Sequence, residues 1–209
     1  ALRYVGAHPT LVDIDPKTYN IDIRDLKKRV KKSTKAIILP HLFGLPADID
    51  EIVSLGIPVI EDCAQAIGAV YKGRKVGSFG KLSCFSFYAT KVLSTGEGGM
   101  VVSDSKSLLK KIRDFRDYDN KKNYTVRYNY KMTDIQAAMG IAQLKKLHSL
   151  LLKRANIAKK YSSILQGFCN APSIRYKDRK HIFFRFPIQI QGSVSKALNF
   201  FSERGVTCA

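Results

Sequence analysis

Asp62 and Lys91 are the residues whose types and positions point most directly to chemistry. Asp62 follows the apolar run Pro58-Val59-Ile60, so it falls near the C-terminal end of a strand. Open α/β sheets bind ligands at that edge. Taken alone, Asp62 also reads as the cap of a turn through Ala64-Gln65-Ala66. Lys91 lies three residues after Tyr88 and just ahead of Gly96, Gly98 and Gly99. A lysine so placed can form a Schiff base with a carbonyl cofactor once its amine is deprotonated. Taken alone, it also reads as one exposed lysine among many. The pair says more than either residue. Pyridoxal phosphate (PLP) requires a lysine for the imine and an aspartate for the ring nitrogen, whose proton makes the ring an electron sink. Ser86 belongs to the same strand region as Lys91 and could donate to the cofactor phosphate.

The elements that must position these residues alternate between strand and helix. Thr10–Ile14 and Lys35–Leu39 read as strands, the second stopped by Pro40. Asp22–Val30 has helical period, with Ile23, Leu26 and Val30 on one side. Asp48–Leu55 reads as a helix ended by Gly56, and Pro58–Ile60 as the strand that delivers Asp62. Leu82–Tyr88 and Met100–Val102 read as strands around the glycine turn, and Ser105–Phe115 as a helix. Arg116–Lys131 is polar and basic without clear period, a loop long enough to carry function. Thr133 is the expected N-cap of the longest helix, reaching Leu165, with Ile135, Ala138, Met139, Ala142, Leu147 and Leu150 on one apolar face. A strand at Ile182–Ile190 and a helix at Val194–Glu203 close the pattern. Repeated strand–helix–strand units predict an α/β fold, a parallel sheet covered by helices.

Composition narrows the functional classes. The 209 residues are 45% apolar and 25% charged, as in a globular protein with an ordinary core. No apolar run approaches the ~20 residues of a membrane-spanning helix, and no leader peptide is visible. Lys plus Arg total 36 against 17 Asp plus Glu, a net charge of +19, which favours anionic partners. Zinc-finger spacing and aromatic RNA-binding signatures are absent, so nucleic acid is not the expected partner. Cys63, Cys84, Cys169 and Cys208 form no C-x-x-C pair, and no histidine is spaced to complete a zinc pattern. No metal site is expected, and the scattered cysteines predict reduced thiols in a cytoplasm.

Four ordered segments resemble one family. Glu61-Asp62-Cys63-Ala64-Gln65-Ala66-Ile67-Gly68-Ala69 is similar to the E-D-x-A-Q-A-x-G-A signature of the DegT/StrS nucleotide-sugar aminotransferases. Cys84-Phe85-Ser86-Phe87-Tyr88-Ala89-Thr90-Lys91 resembles their F-S-F-x-x-x-K lysine motif, continued by Thr95-Gly96-Glu97-Gly98-Gly99-Met100. Tyr128-Asn129-Tyr130-Lys131-Met132 resembles their N-Y-R-M segment, with Lys131 where the family commonly has Arg. His41-Leu42-Phe43-Gly44, with Pro46 and Asp48, is similar to the H-x-x-G-x-x-x-D stretch.

The resemblance implies a fold type I PLP-dependent transferase: a mixed, mainly parallel sheet with helices on both faces. Residues 1–150 would be the PLP-binding large domain, and 151–209 the start of a smaller C-terminal α/β domain. The family's upstream segment and its C-terminal substrate-binding portion are expected to lie outside this sequence. Lys91 would carry the cofactor and shuttle the proton of the 1,3-shift. Asp62 would pair with the pyridinium nitrogen, Gln65 would lie against the ring or bond its hydroxyl, and Ser86 would hold the phosphate. Asn129 would reach the phosphate of a neighbouring subunit's cofactor, making a homodimer with shared active sites; the alternative is that Asn129 caps a local turn. The implied reaction moves an amino group, with glutamate as donor, to a keto-sugar of a nucleotide-diphosphate sugar. His41 is expected in a loop or pocket wall, Cys63 as a small buried residue, and Tyr88 in the pocket lining or the core. Two other functions stay open: a non-catalytic basic binding protein on the same scaffold, and a PLP-dependent sugar-modifying enzyme of another reaction type. Family members with histidine in place of the lysine act as dehydratases, and Lys91 argues against that.

Overall fold

Caps and apolar spacing set the elements of the computed structural model, which describes residues 2–208. In chain order these are α1 (Ile23–Arg29), β1 (Ile37–Pro40), α2 (Ile49–Val53), β2 (Val59–Asp62), β3 (Val70–Tyr71), β4 (Arg74–Lys75), β5 (Leu82–Ser86), β6 (Gly99–Val102), α3 (Lys106–Phe115), α4 (Asp134–Leu165), β7 (Arg179–Lys180) and α5 (Val194–Ser202). Asp22, Ser105 and Ser193 each cap a helix by accepting a backbone N–H in its first turn. Thr133 does the same for α4 and completes a capping box with Gln136. Helix α4 runs unbroken through residue 150.

The main sheet has the order β1-β2-β5-β6. β1, β2 and β5 are parallel, and β6 returns antiparallel beside β5. The fold is therefore α/β with a mixed, mainly parallel sheet. Ile37, Leu39, Val59, Glu61 and Ser83 alternate onto one buried face. Against the apolar members pack Leu26 of α1, Ile49 and Ile52 of α2, Leu151 of α4, and Ile182. Each fully buried Leu or Ile contributes about 1.5–3 kcal/mol over an exposed one.

Two expected strands do not form. Thr10–Ile14 makes only an isolated bridge from Ile14 to Ile21. The N–H groups of Asp13 and Ile14 are taken by the carboxylates of Asp25 and Asp13, which diverts them from a ladder. Ile182–Ile190 is also irregular. Its start is buried, but Ile182 and Phe184 donate to Gly44 and Phe43 rather than to a strand, and Phe183 has φ 52. Conversely, the hairpin β3–β4 was not expected. Lys72 and Gly73 turn it with φ 45 and 79, the paired positive angles of a two-residue hairpin turn.

Gly44 marks the closest approach of these segments. At φ +88, an added Cβ would stand 2.5 Å from Ile182 Cγ1 and 2.9 Å from the Gln65 carbonyl oxygen. Gly44→Ala should cost about 2–4 kcal/mol, combining left-handed strain with overpacking. Urea unfolding would read the loss; an unchanged midpoint would contradict this packing.

Candidate active site

Strand period places the first two site residues together. Asp62 pairs in register with Cys84, and Ser86 is two residues beyond Cys84, so Asp62 and Ser86 lie on one face of the sheet. Both end their strands, on the C-terminal edge of the parallel set. Both are half-buried. Asp62 Oδ1 accepts the Ala64 N–H at 3.0 Å, so the aspartate caps its local turn as well as ending its strand. Its Oδ2 accepts no hydrogen bond among the described residues. Ser86 Oγ accepts from the Tyr88 N–H at 3.3 Å, which leaves the hydroxyl hydrogen to donate elsewhere.

Lys91 follows β5 on a bend closed on itself. The Lys91 N–H donates to Tyr88 O, the Thr95 N–H to Phe87 O, and the Phe87 N–H to Gly98 O. Val92 and Leu93 sink into the interior and anchor the bend, while Lys91 is half-buried. Its Nζ lies 5.0 Å from the centre of the Phe184 ring. Tyr88 is 46% exposed, so it is not a core residue.

Gln65 sits on the turn after β2. Its Oε1 accepts the Phe43 N–H at 2.9 Å, which leaves the amide nitrogen as its remaining polar group. Asn129 is exposed, and no hydrogen bond among the described residues ties it to Asp62, Gln65, Ser86 or Lys91. Its segment is nevertheless anchored. Tyr128 and Tyr130 donate backbone N–H groups to Phe115 and Arg116, and their rings stack with centroids 5.0 Å apart. Lys131 pairs with Asp119 at 2.7 Å and Asp117 at 3.1 Å, closing the 117–131 loop within its own chain. Met132 borders Gly98, so this segment passes beside the glycine turn that follows Lys91.

A buried polar cluster behind Asp62 escaped the sequence reading. Glu61 is 0% and His41 1% exposed, with Nε2 3.0 Å from Glu61 Oε2. Burial opposes ionisation of Glu61, but the His41 hydrogen bond and the N–H groups of Gly77, Gly80 and Phe79 outweigh it and hold the carboxyl at about 2. Cys63 is buried as expected, and burial beside Glu61 and Asp62 pushes its thiol well up, so it is no nucleophile. One donor atom from each of His41, Glu61 and Cys63 falls within 4.8 Å of the others. Hydrogen bonds nonetheless occupy both histidine nitrogens and both carboxylate oxygens. Glu61 and His41 each fall in one of the quoted motifs, but nothing in the sequence paired them; Glu61 and Asp62 face opposite sides of β2.

A sequence model of the DegT/DnrJ/EryC1/StrS aminotransferase family matches residues 1–209. The chain is 36% identical to GDP-perosamine synthase of Escherichia coli O157:H7, over 89% of this chain and 52% of that protein. It is 38% identical to UDP-N-acetyl-3-dehydro-alpha-D-glucosamine 3-aminotransferase of Acidithiobacillus ferrooxidans, over 91% and 54%. Among solved structures, Spr1654 of Streptococcus pneumoniae, described as a sugar aminotransferase and determined in its PMP form, superposes with a TM-score of 0.90 at 25% identity. That match covers 99% of this chain and 61% of Spr1654. The chain thus spans about half the length of the curated relatives it matches.

Proposed function

The chain belongs to the DegT/DnrJ/EryC1/StrS aminotransferase family, and on that premise we propose that its strand-edge site holds PLP and transfers an amino group, from glutamate, to a keto-sugar carried on a nucleotide diphosphate. The observation that carries this reading is the placement of Asp62 and Ser86 on one sheet face, with Lys91 on the bend that follows. The donor set fits the cofactor. Asp62 Oδ2 is unused by hydrogen bonds among the described residues and can accept a cationic N–H, Ser86 has a free hydroxyl hydrogen for a phosphate, and Lys91 offers a primary amine. Bound PLP supplies an aldehyde for amine exchange and a ring that accepts electrons.

The chain's own residues supply the rest. Asp62 holds the proton on the ring nitrogen. Lys91 Nζ anchors the cofactor and then moves the proton of the 1,3-shift. Ser86 Oγ orients the phosphate, and the Gln65 amide nitrogen addresses the ring hydroxyl. In this reading residues 1–150 carry the cofactor unit and 151–209 begin a second, with α4 common to both. The net charge of +19 suits a diphosphate substrate, and the four unpaired cysteines suit a cytoplasmic setting. Among the described residues, no helix is long and apolar enough to cross a membrane. Incubating the intact protein with PLP and glutamate should release 2-oxoglutarate and leave the cofactor in its amine form. A protein that binds PLP but shows no such exchange would refute the reading.

The site is shared between two copies in this account. Tyr128 and Tyr130 flank Asn129 in sequence, and they and Ile135 and Met139 of the following helix α4 are exposed, apolar surface on offer to a second chain. An amide donor to a phosphate oxygen is charge-assisted, and its loss should weaken the site by about 1.5–3 kcal/mol. Complementation tests the sharing. Lys91→Ala subunits mixed with Asn129→Ala subunits would form dimers with one doubly defective site and one intact site. Activity should rise above that of the Asn129→Ala protein alone. Were Asn129 to act within its own subunit, every mixed site would be defective and activity would not rise.

A further inference from the structure

The buried Glu61–His41 pair has no task in the proposed amino transfer. Glu61 points to the opposite face of β2 from Asp62, where it accepts from Gly77, Phe79, Gly80, Ser83 and His41. His41 accepts the Ala47 N–H on Nδ1 at 3.2 Å, so its proton sits on Nε2 and is donated to Glu61. The imidazole therefore bridges the sheet to the far end of the strap 41–47. Its backbone N–H donates to Asp62 O, pinning the near end.

That strap carries both remaining contacts to the cofactor site. The Phe43 N–H holds Gln65 Oε1, and the Phe43 carbonyl accepts the N–H of Phe184. The Gly44 carbonyl accepts from Ile182. Phe184 in turn places its ring 5.0 Å from Lys91 Nζ. Phe43 itself sits at φ 55, a conformation its own preferences disfavour and the strap must enforce. We propose that His41, held by Glu61, is a positioning residue of the cofactor site: it sets the strap that orients Gln65 and Phe184 about Asp62 and Lys91. The inference rests on the PLP reading of that site. His41 touches no reacting atom; it acts through backbone geometry.

The test uses the intact protein loaded with PLP, with PLP dissociation, visible circular dichroism of the bound cofactor and urea unfolding measured together. His41→Leu removes the bridge, leaving the Ala47 N–H without its partner and Glu61 Oε2 with only the Gly77 N–H. It should weaken PLP binding roughly tenfold, the order expected when one cofactor hydrogen bond, that of the displaced Gln65 amide, is lost, and should strip most of the cofactor's visible dichroism. His41→Gln, whose amide can donate to Glu61 and accept from Ala47, should restore both. A lower urea midpoint with PLP affinity and dichroism unchanged would overturn the proposal, leaving His41 a stability residue only. If His41→Leu does not fold, His41→Asn replaces it, being polar but too short to span both partners. It must then show the same two changes, and unchanged values overturn the proposal. A parent protein that fails to bind PLP at Lys91 removes the aminotransferase reading itself, whereas a parent that binds with unaffected variants removes only this inference.

Discussion

Lys91→Ala should lose amino transfer by roughly 10⁴-fold or more, the upper range for a positioned proton-transfer group. The amine has two tasks in the account, anchoring the cofactor and moving a proton, and alanine removes both. The fold should survive. Lys91 is half-buried and its backbone N–H remains bonded to Tyr88, while Val92 and Leu93 still anchor the bend. Urea unfolding should therefore match the parent while product formation from glutamate disappears. A variant retaining a tenth of parental activity would remove Lys91 from the chemistry.

The second large effect is expected at Asp62. Asp62→Asn keeps the shape, and the amide oxygen can still accept the Ala64 N–H that caps the turn. What goes is the negative charge that, in the proposed role, would hold the ring nitrogen protonated. Losing a charge-assisted pair costs at least about 1.5–3 kcal/mol, so the half-reaction with glutamate should slow at least ~10–100-fold, at 1.4 kcal/mol per factor of ten. Labelling at Lys91 should continue, because the amine is untouched. Stopped-flow measurement of the glutamate half-reaction separates the two steps, and an undiminished rate would remove Asp62 from its role.

The sequence carried the local geometry of the site better than its support. Asp62 was legible because Val59 and Ile60 make an apolar strand with an acid at its end, and Ser86 because the next strand carries it. Their sharing of a face is a matter of period two and register, and the parallel pairing of Asp62 with Cys84 supplies it. The Glu61–His41 bridge joins positions twenty residues apart and leaves no periodic trace. Nor did local pattern reveal that Ile182 and Phe184 would spend their N–H groups on the strap. The run His181-Ile182-Phe183-Phe184 has strand-like composition, but tertiary contacts with Phe43 and Gly44 override it. Asn129 is proposed on its motif alone, since no hydrogen bond among the described residues ties its side chain to Lys91.

The account stands or falls on the identity of the cofactor lysine. The intact protein should be incubated with PLP, reduced with borohydride, digested, and its peptides mapped by mass spectrometry. The account predicts a single pyridoxyl label, on the peptide containing Lys91. A label on any other of the chain's lysines, or none on the protein at all, would contradict it.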